Sequence, residues 1–255
     1  MQRASPDNIR TLRLFSGLSE QEKDNLIQAG RTRRYANRQY LFVYGDQVRL
    51  FHIVCDGAVQ LFRETPDGHE MTSDIIAAGD TIGGAEILQS QATHRFNAIA
   101  VKDTAAIEFP IAWLKENSKR YSILALNLLT MLSRRGNTAM IEAEHKATMT
   151  APQQIACFLE RLCILHDYDP HGFDLPYSKT LIASRLGMEI ETFSRGLAKL
   201  HEHGITIRGA RVFFDDIEKM ENYACSNCSI SDTCQEHELL RGQLSRPKPG
   251  RVGCA

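Results

Sequence analysis

Between Tyr40 and Phe109 the apolar positions fall in short runs: Tyr40 to Tyr44, Leu50 to Cys55, Ala58 to Arg63, Met71 to Ile76 and Ala98 to Phe109. The pairs Gly45-Asp46, Asp56-Gly57, Asp67-Gly68 and Gly79-Asp80 interrupt them. Short β-rich runs separated by turn dipeptides predict an antiparallel β-barrel or jelly roll. After Pro110 the period changes. Tyr121, Leu124, Leu128, Met131 and Leu132 recur at three- and four-residue steps, which predicts a long amphipathic helix reaching about Lys146. A helix of this length between two domains pairs with its twin in preference to packing only on its own barrel. Leu124, Leu128 and Met131 are therefore the expected dimer seam, weaker toward Arg134, Arg135 and Asn137.

A second break comes at Thr150-Ala151-Pro152, where Thr150 can cap a new helix and Pro152 suits its first turn. From Pro176 the pattern is compact and helical. Ser178 caps a helix through Arg185, Leu186-Gly187 turns the chain, and a second helix runs from about Ile190 to His201 before Gly204. Ile205 to Arg208 and Val212 to Phe214, joined at Gly209, make a small hairpin or wing. Beyond Tyr223 apolar residues become scarce, and such a tail is expected to need a bound metal for order. The expected fold is α+β, in four parts: a β-barrel sensor domain over 1–112, a dimerisation helix and hinge over 113–149, a winged helix-turn-helix over 150–222 and a cysteine-rich tail over 223–255.

The formal net charge of −1 rules out a globally basic nucleic-acid coat, so DNA contact must come from a local patch. Two helices joined by a glycine turn supply one. Glu191, Ser194 and Arg195 project from one face near the start of the second helix, the end that enters the major groove. Arg195 can fork onto guanine O6 and N7, Glu191 can accept from a cytosine amine, and Ser194 can serve either role. Lys179, Arg185, Lys199, Arg208 and Arg211 supply charge for phosphates. No catalytic residues are expected, since no nucleophile elbow, phosphate-binding glycine loop or H-E-x-x-H site occurs.

Seven cysteines change the picture further. Cys225, Cys228 and Cys234 are spaced C-x2-C-x5-C, and Cys254 is available as a fourth ligand. No apolar run approaches the roughly twenty residues of a membrane span, and the start lacks the apolar core of an export signal. A cytoplasmic location with no membrane partner is expected, where clustered thiols hold metal more often than disulfides. Zinc and an iron–sulfur cluster both suit tetrahedral thiolates, and the absence of a second C-x2-C knuckle favours iron–sulfur. Cys55, Cys157 and Cys163 lie in apolar contexts and are expected to be buried as small hydrophobes.

Leu175-Pro176-Tyr177-Ser178-Lys179, Leu186-Gly187, Glu191-Thr192, Ser194-Arg195 and Leu197 together resemble the DNA-binding domain of the CRP/FNR superfamily. Leu14 to Leu18, Asp56 to Val59, Pro66-Asp67-Gly68 and Ala78 to Gly83 resemble the opening helix and successive turns of that family's cyclic-nucleotide-binding barrel. The resemblance implies a homodimer on double-stranded DNA, a TTGAT-type inverted repeat as target for the E-x-x-S-R pattern, and RNA polymerase as a partner. One departure is Glu189, where the family commonly has a Ser or Thr cap. Another is the ligand site. Gly84, Phe96 and Asn97 stand where nucleotide-binding members carry Glu, Arg and Ser, so cyclic AMP is not expected unless Glu86 and Arg95 take those roles. Haem sensing is a further option in the family, with His52, His69 or His94 as axial ligand. With no cysteine before Cys55, the N-terminal cluster of oxygen-sensing members is excluded. The tail is similar to that of members with three cysteines after the DNA-binding domain, which implies a [4Fe-4S] cluster whose fourth ligand is Cys254, a carboxylate or His237.

Overall fold

The computed structural model describes residues 10, 12–88, 92–165, 169, 171–231 and 234, so Cys254 and His237 lie outside the described residues. The chain divides into two compact units, 1–140 and 141–255.

The first unit opens with a 3-10 turn, Arg13–Phe15, and helix α1, Glu20–Ile27. Ser19 and Glu22 form a reciprocal capping box at the start of α1. Eight strands follow: β1 (Arg31–Tyr35), β2 (Tyr40–Phe42), β3 (Leu50–Asp56), β4 (Ala58–Glu64), β5 (Glu70–Ala77), β6 (Thr81–Ile82), β7 (Asn97–Ala100) and β8 (Thr104–Pro110). They form two four-stranded antiparallel sheets, ordered β1-β8-β3-β6 and β2-β7-β4-β5. The expected β-rich sensor fold thus takes the form of a sandwich. Val54, Ile82, Val59, Ile76 and Ala98, drawn from both sheets, fill the space between them.

Sequence patterning missed β1, whose Arg-Thr-Arg-Arg-Tyr shows no apolar alternation because four of its five residues are exposed. The run from Ala98 to Phe109 is two strands, with a turn at 101–103 between β7 and β8. Helices α2 (Ile111–Arg120) and α3 (Ser122–Thr148) follow. Leu124 and Leu128 of α3 join a core with Leu14, Phe15, Phe51, Phe109 and Leu114.

The second unit holds the end of α3, then α4 (Ala151–Leu165), β9 (Phe173–Asp174), α5 (Lys179–Leu186), α6 (Ile190–Leu200), a 3-10 turn (His201–His203), β10 (Ile205–Arg208), β11 (Arg211–Phe214) and α7 (Ile217–Ala224). Its core is built from Ile155, Leu159, Phe193, Leu197, Leu200, Val212 and Met220. Thr150 contributes at the start of α4 through Gln153, whose Oε1 accepts from both the Thr150 N–H and hydroxyl at 2.8 Å. Gly196 lets α6 approach α4 closely, since a Cβ there would come within 2.5 Å of Ile155 Cδ1. Strand β9 extends the expected wing to three strands, ordered β10-β11-β9.

The tail departs from expectation at its start. Asp216 caps α7 by accepting from the Lys219 N–H, and turns continue to residue 231. Polar anchors order this stretch where apolar residues are few. Gln153 Nε2 donates to Tyr223 O and Ser226 Oγ, each at 2.9 Å, and His203 stacks on Tyr223 with centroids 3.4 Å apart.

Candidate nucleic-acid interface and thiolate site

Ser178 holds the start of α5 by accepting from the Leu181 N–H at 3.2 Å. Gly187 ends the helix in the left-handed region at φ 70°, and the Met188 N–H returns to Ala183 O at 2.9 Å. Glu189 occupies the N-cap of α6 with no side-chain cap bond, in keeping with its departure from Ser or Thr. Buried Phe193, Leu197 and Leu200 fix one face of α6. Glu191, Ser194, Arg195 and Lys199 are exposed on the helix. Arg195 is steered by a 3.4 Å bond to Thr192 Oγ1. The three base-reading candidates therefore share a solvated face, where a base edge can reach them.

The phosphate-contact candidates divide. Arg208 and Arg211 are exposed on the wing, each with its guanidinium 5.6 Å from the Phe213 ring centroid, and Lys179 is partly exposed in the first turn of α5. Arg185 is turned inward, contrary to expectation. It bonds both carboxylate oxygens of Glu142 at 2.9 Å, and its side chain is only 12% exposed. Arg161 meets the same carboxylate at 3.2 Å. With its charge matched internally, Arg185 braces α5 against the end of α3.

The residues of the expected dimer seam point inward. Leu124 and Leu128 are 0% and 5% exposed inside the core of the first unit, and Met131 packs against the same core. They have little surface to offer a partner. The exposed apolar residues of α3 are instead Ile123, Leu126, Leu129 and Met140, with Leu126, Leu129 and Met140 at 61%, 54% and 73%. Leu126, Leu129, Ser133, Gly136, Met140 and Ala143 alternate by three and four residues and are all exposed. That is the a/d spacing of a coiled-coil seam, and it was hidden because the large apolar residues of α3 serve two faces at once.

In the first unit, a Cβ on Gly84 would lie 3.0 Å from Leu128 Cδ1. Phe96 lies under the Arg63 guanidinium at 4.8 Å, and Asn97 Oδ1 accepts from the Tyr44 N–H at 2.8 Å. Of the three candidate axial ligands, His69 is exposed, whereas His52 and His94 are buried. His94 stacks on Phe42 at 3.5 Å, and neither ring nitrogen of His52 has a hydrogen-bond partner. Burial, aided by His94 and Arg33, pushes His52 down to about 4.

Cys225 and Cys228 flank a tight turn at the end of α7, where the Cys228 N–H donates to Cys225 O at 3.1 Å. Cys225, Cys228 and Cys234 are all partly exposed. Glu144 on α3 accepts from the Ser229 N–H at 3.1 Å, and these bonds to Ser229 hold its carboxyl below the usual range. The neighbouring His145 places Nε2 3.4 Å from Cys228 Sγ and Nδ1 3.9 Å from Cys157 Sγ. Cys157 is therefore part of a polar cluster and only partly buried, unlike Cys55 and Cys163. Burial pushes the Cys55 thiol up to about 11, as expected of an inert core cysteine. Among the described residues, no three His, Cys, Asp or Glu side chains are gathered tightly enough to hold a metal ion. The donor chemistry nonetheless suits a thiophilic metal, with three cysteines close in sequence and an imidazole beside one of them. Sequence reasoning missed His145 because its partner Cys228 is 83 positions away.

Comparison with known proteins agrees with both units. Residues 32–120 match the cyclic nucleotide-binding domain, and residues 153–223 match the Crp-like helix-turn-helix domain. The chain is 28% identical over 200 residues to the cyclic AMP receptor protein of Thermus thermophilus, covering 77% of this chain and 88% of that protein. It is 24% identical over 207 residues to the fumarate and nitrate reduction regulatory protein of Escherichia coli, covering 79% and 80%. Its fold is similar to that of FixK2 from Bradyrhizobium japonicum, with a TM-score of 0.67 and 22% identity, over 76% of this chain and 96% of that one. Among the described residues, no helix is long and apolar enough to cross a membrane.

Proposed function

This chain belongs to the CRP/FNR family of DNA-binding transcription regulators, and from that membership we propose that it is a cytoplasmic, homodimeric regulator responding to oxygen, nitric oxide or redox state through a metal centre in its C-terminal tail. The observation that carries this is the seating of the cysteine turn. Ser229 bonds Glu144, and Cys228 lies against His145, both on the long helix α3. A change at the thiolates therefore acts directly on α3.

Cys225, Cys228 and Cys234 would hold the metal with one further ligand, Cys254 being the candidate from the sequence. An iron–sulfur cluster, of the [4Fe-4S] type, supplies a centre whose integrity depends on oxidants. Glu144 and Gln153 anchor the turn that carries these cysteines. Glu191, Ser194 and Arg195 would read an inverted repeat of the TTGAT type, with Lys179, Lys199, Arg208 and Arg211 neutralising phosphates. Two such heads must reach half-sites about 34 Å apart, which requires a dimer. The stripe Leu126, Leu129 and Met140 is the seam we assign to it. RNA polymerase is the expected protein partner at a promoter.

Cyclic AMP is not the effector in this account. Gly84 carries no carboxylate for a ribose and abuts Leu128, and Phe96 offers a cyclic phosphate no charge.

The test is the absorbance and metal content of the full chain purified without oxygen. A broad brown absorbance with iron and sulfide, lost in Cys225→Ser, Cys228→Ser and Cys234→Ser, supports the proposal. A sharp Soret band would replace the tail with haem as the sensor. A colourless protein with tightly held zinc would make the tail a structural site, inert to oxygen.

A further inference from the structure

We propose that His145, through Nε2, is the fourth protein ligand of the tail's metal centre, in place of Cys254. This rests on the preceding assignment of Cys225, Cys228 and Cys234 as metal ligands.

Three independent contacts bring the imidazole and the cysteine turn together. Gln153 holds Tyr223 and Ser226, Glu144 holds the Ser229 N–H, and between these anchors Cys228 Sγ faces His145 Nε2 at 3.4 Å. With metal–sulfur and metal–nitrogen bonds of about 2.3 and 2.0–2.1 Å, two ligands of one tetrahedral ion lie roughly 3.5 Å apart. The pair thus already has the spacing of neighbouring ligands. On a multi-iron cluster the two donors would sit on separate irons, and the turn would have to open by a few ångströms. Either metal would draw in Cys225 and Cys234, since the described residues do not gather three donors at one point.

The other ring nitrogen supports the same assignment. A metal-bound histidine ordinarily donates its second N–H to a fixed acceptor, which sets the tautomer and the ring orientation. Cys157 Sγ, 3.9 Å from Nδ1, is placed to accept that proton. With Nδ1 protonated, the Nε2 lone pair points at Cys228. His145 is 8% exposed, so little solvent competes for it. Ligation at this position would tie the metal directly to α3, the helix that carries the exposed Leu126, Leu129 and Met140 stripe.

The experiment loads the full chain anaerobically with ferrous iron and sulfide, or with zinc alone, and measures metal content and retention against a chelator. The proteins compared are the wild type, Cys228→Ser, His145→Ala, His145→Gln, His145→Cys and Cys254→Ser. Retention should fall at least about tenfold in His145→Ala and His145→Gln, survive in His145→Cys with an altered spectrum, and stay unchanged in Cys254→Ser. A second readout needs no variant. In wild-type protein with ¹⁵N-labelled histidine, the reduced iron–sulfur form should show a strongly coupled nitrogen by pulsed electron paramagnetic resonance, and the zinc form should show imidazole scattering by X-ray absorption. Loss of metal in Cys254→Ser, with full retention and no coupled nitrogen at His145, would overturn the assignment and leave the tail centre intact. Equal metal in wild type and Cys228→Ser would overturn the tail centre itself.

Discussion

One guanidinium nitrogen of Arg185, on the first helix of the DNA-binding pair, lies 2.9 Å from both carboxylate oxygens of Glu142 at the end of α3. Arg161 of α4 approaches the same carboxylate at 3.2 Å, so three helices meet on one acid. Truncating Arg185 should lower the stability of this unit by about 1–3 kcal/mol, because part-buried ionic hydrogen bonds are lost and Glu142 keeps only part of its compensation. Lys179→Ala should leave stability near wild type and reduce the salt slope of DNA binding by about one. Denaturant melts and salt titrations separate the two. If Arg185→Ala melts like the wild type while its salt slope falls, Arg185 reaches a phosphate after all.

Arg195 stands on the exposed face of α6 with Glu191 and Ser194. Arg195→Ala should cost about 1–3 kcal/mol per half-site and relax preference at one guanine. Competition binding with a TTGAT-type repeat and single-base variants measures both effects. Unchanged affinity across the series would move the reading face elsewhere.

The two faces of α3 lead to opposite phenotypes. Leu126→Glu with Leu129→Glu should yield a folded monomer, because both side chains are more than half exposed. Leu128→Glu should destabilise the first unit by several kcal/mol, about what burying an unpaired charge costs even after its pKa shifts. Sedimentation and thermal melts distinguish them. A stable dimer in the double variant would contradict the proposed seam.

His52 gives a pH signature. Its folded value is pushed down to about 4 from the ordinary 6.5, so below pH 6.5 the unfolded chain takes up a proton that the folded chain refuses. Stability is full above pH 6.5 and declines as pH falls toward 4, by about 3 kcal/mol at most from this group. His52→Leu should flatten that slope in pH-dependent melts. A slope unchanged by the substitution would assign the proton uptake to other groups.

How far the sequence could be followed depended on the range of each interaction. The caps, turns and periodicities that define α3, α5, α6 and the wing are local, and they could be placed to within a few residues. Strand β1 was invisible because its arginines face solvent, whereas α7 was passed over although Ile217, Met220, Tyr223 and Ala224 recur at helical spacing. At the candidate site, helical spacing placed Glu191, Ser194 and Arg195 on one helix, where all three are exposed. The Arg185–Glu142 pair was not legible because the two residues are 43 positions apart and nothing local marks them. A hydrophobic stripe does not say which surface it meets, so the burial of Leu128 beside Gly84 was not legible from its spacing.

The central claim, that the tail metal controls DNA binding, is tested most directly by one titration. The full chain, loaded anaerobically with iron and sulfide, is titrated on a TTGAT-type inverted repeat before and after exposure to air. The expected result is an affinity that differs at least about tenfold between the two states, a coupling of about 1.4 kcal/mol, with Cys228→Ser fixed at one value in both. Identical affinity in loaded and air-exposed wild type would contradict the account.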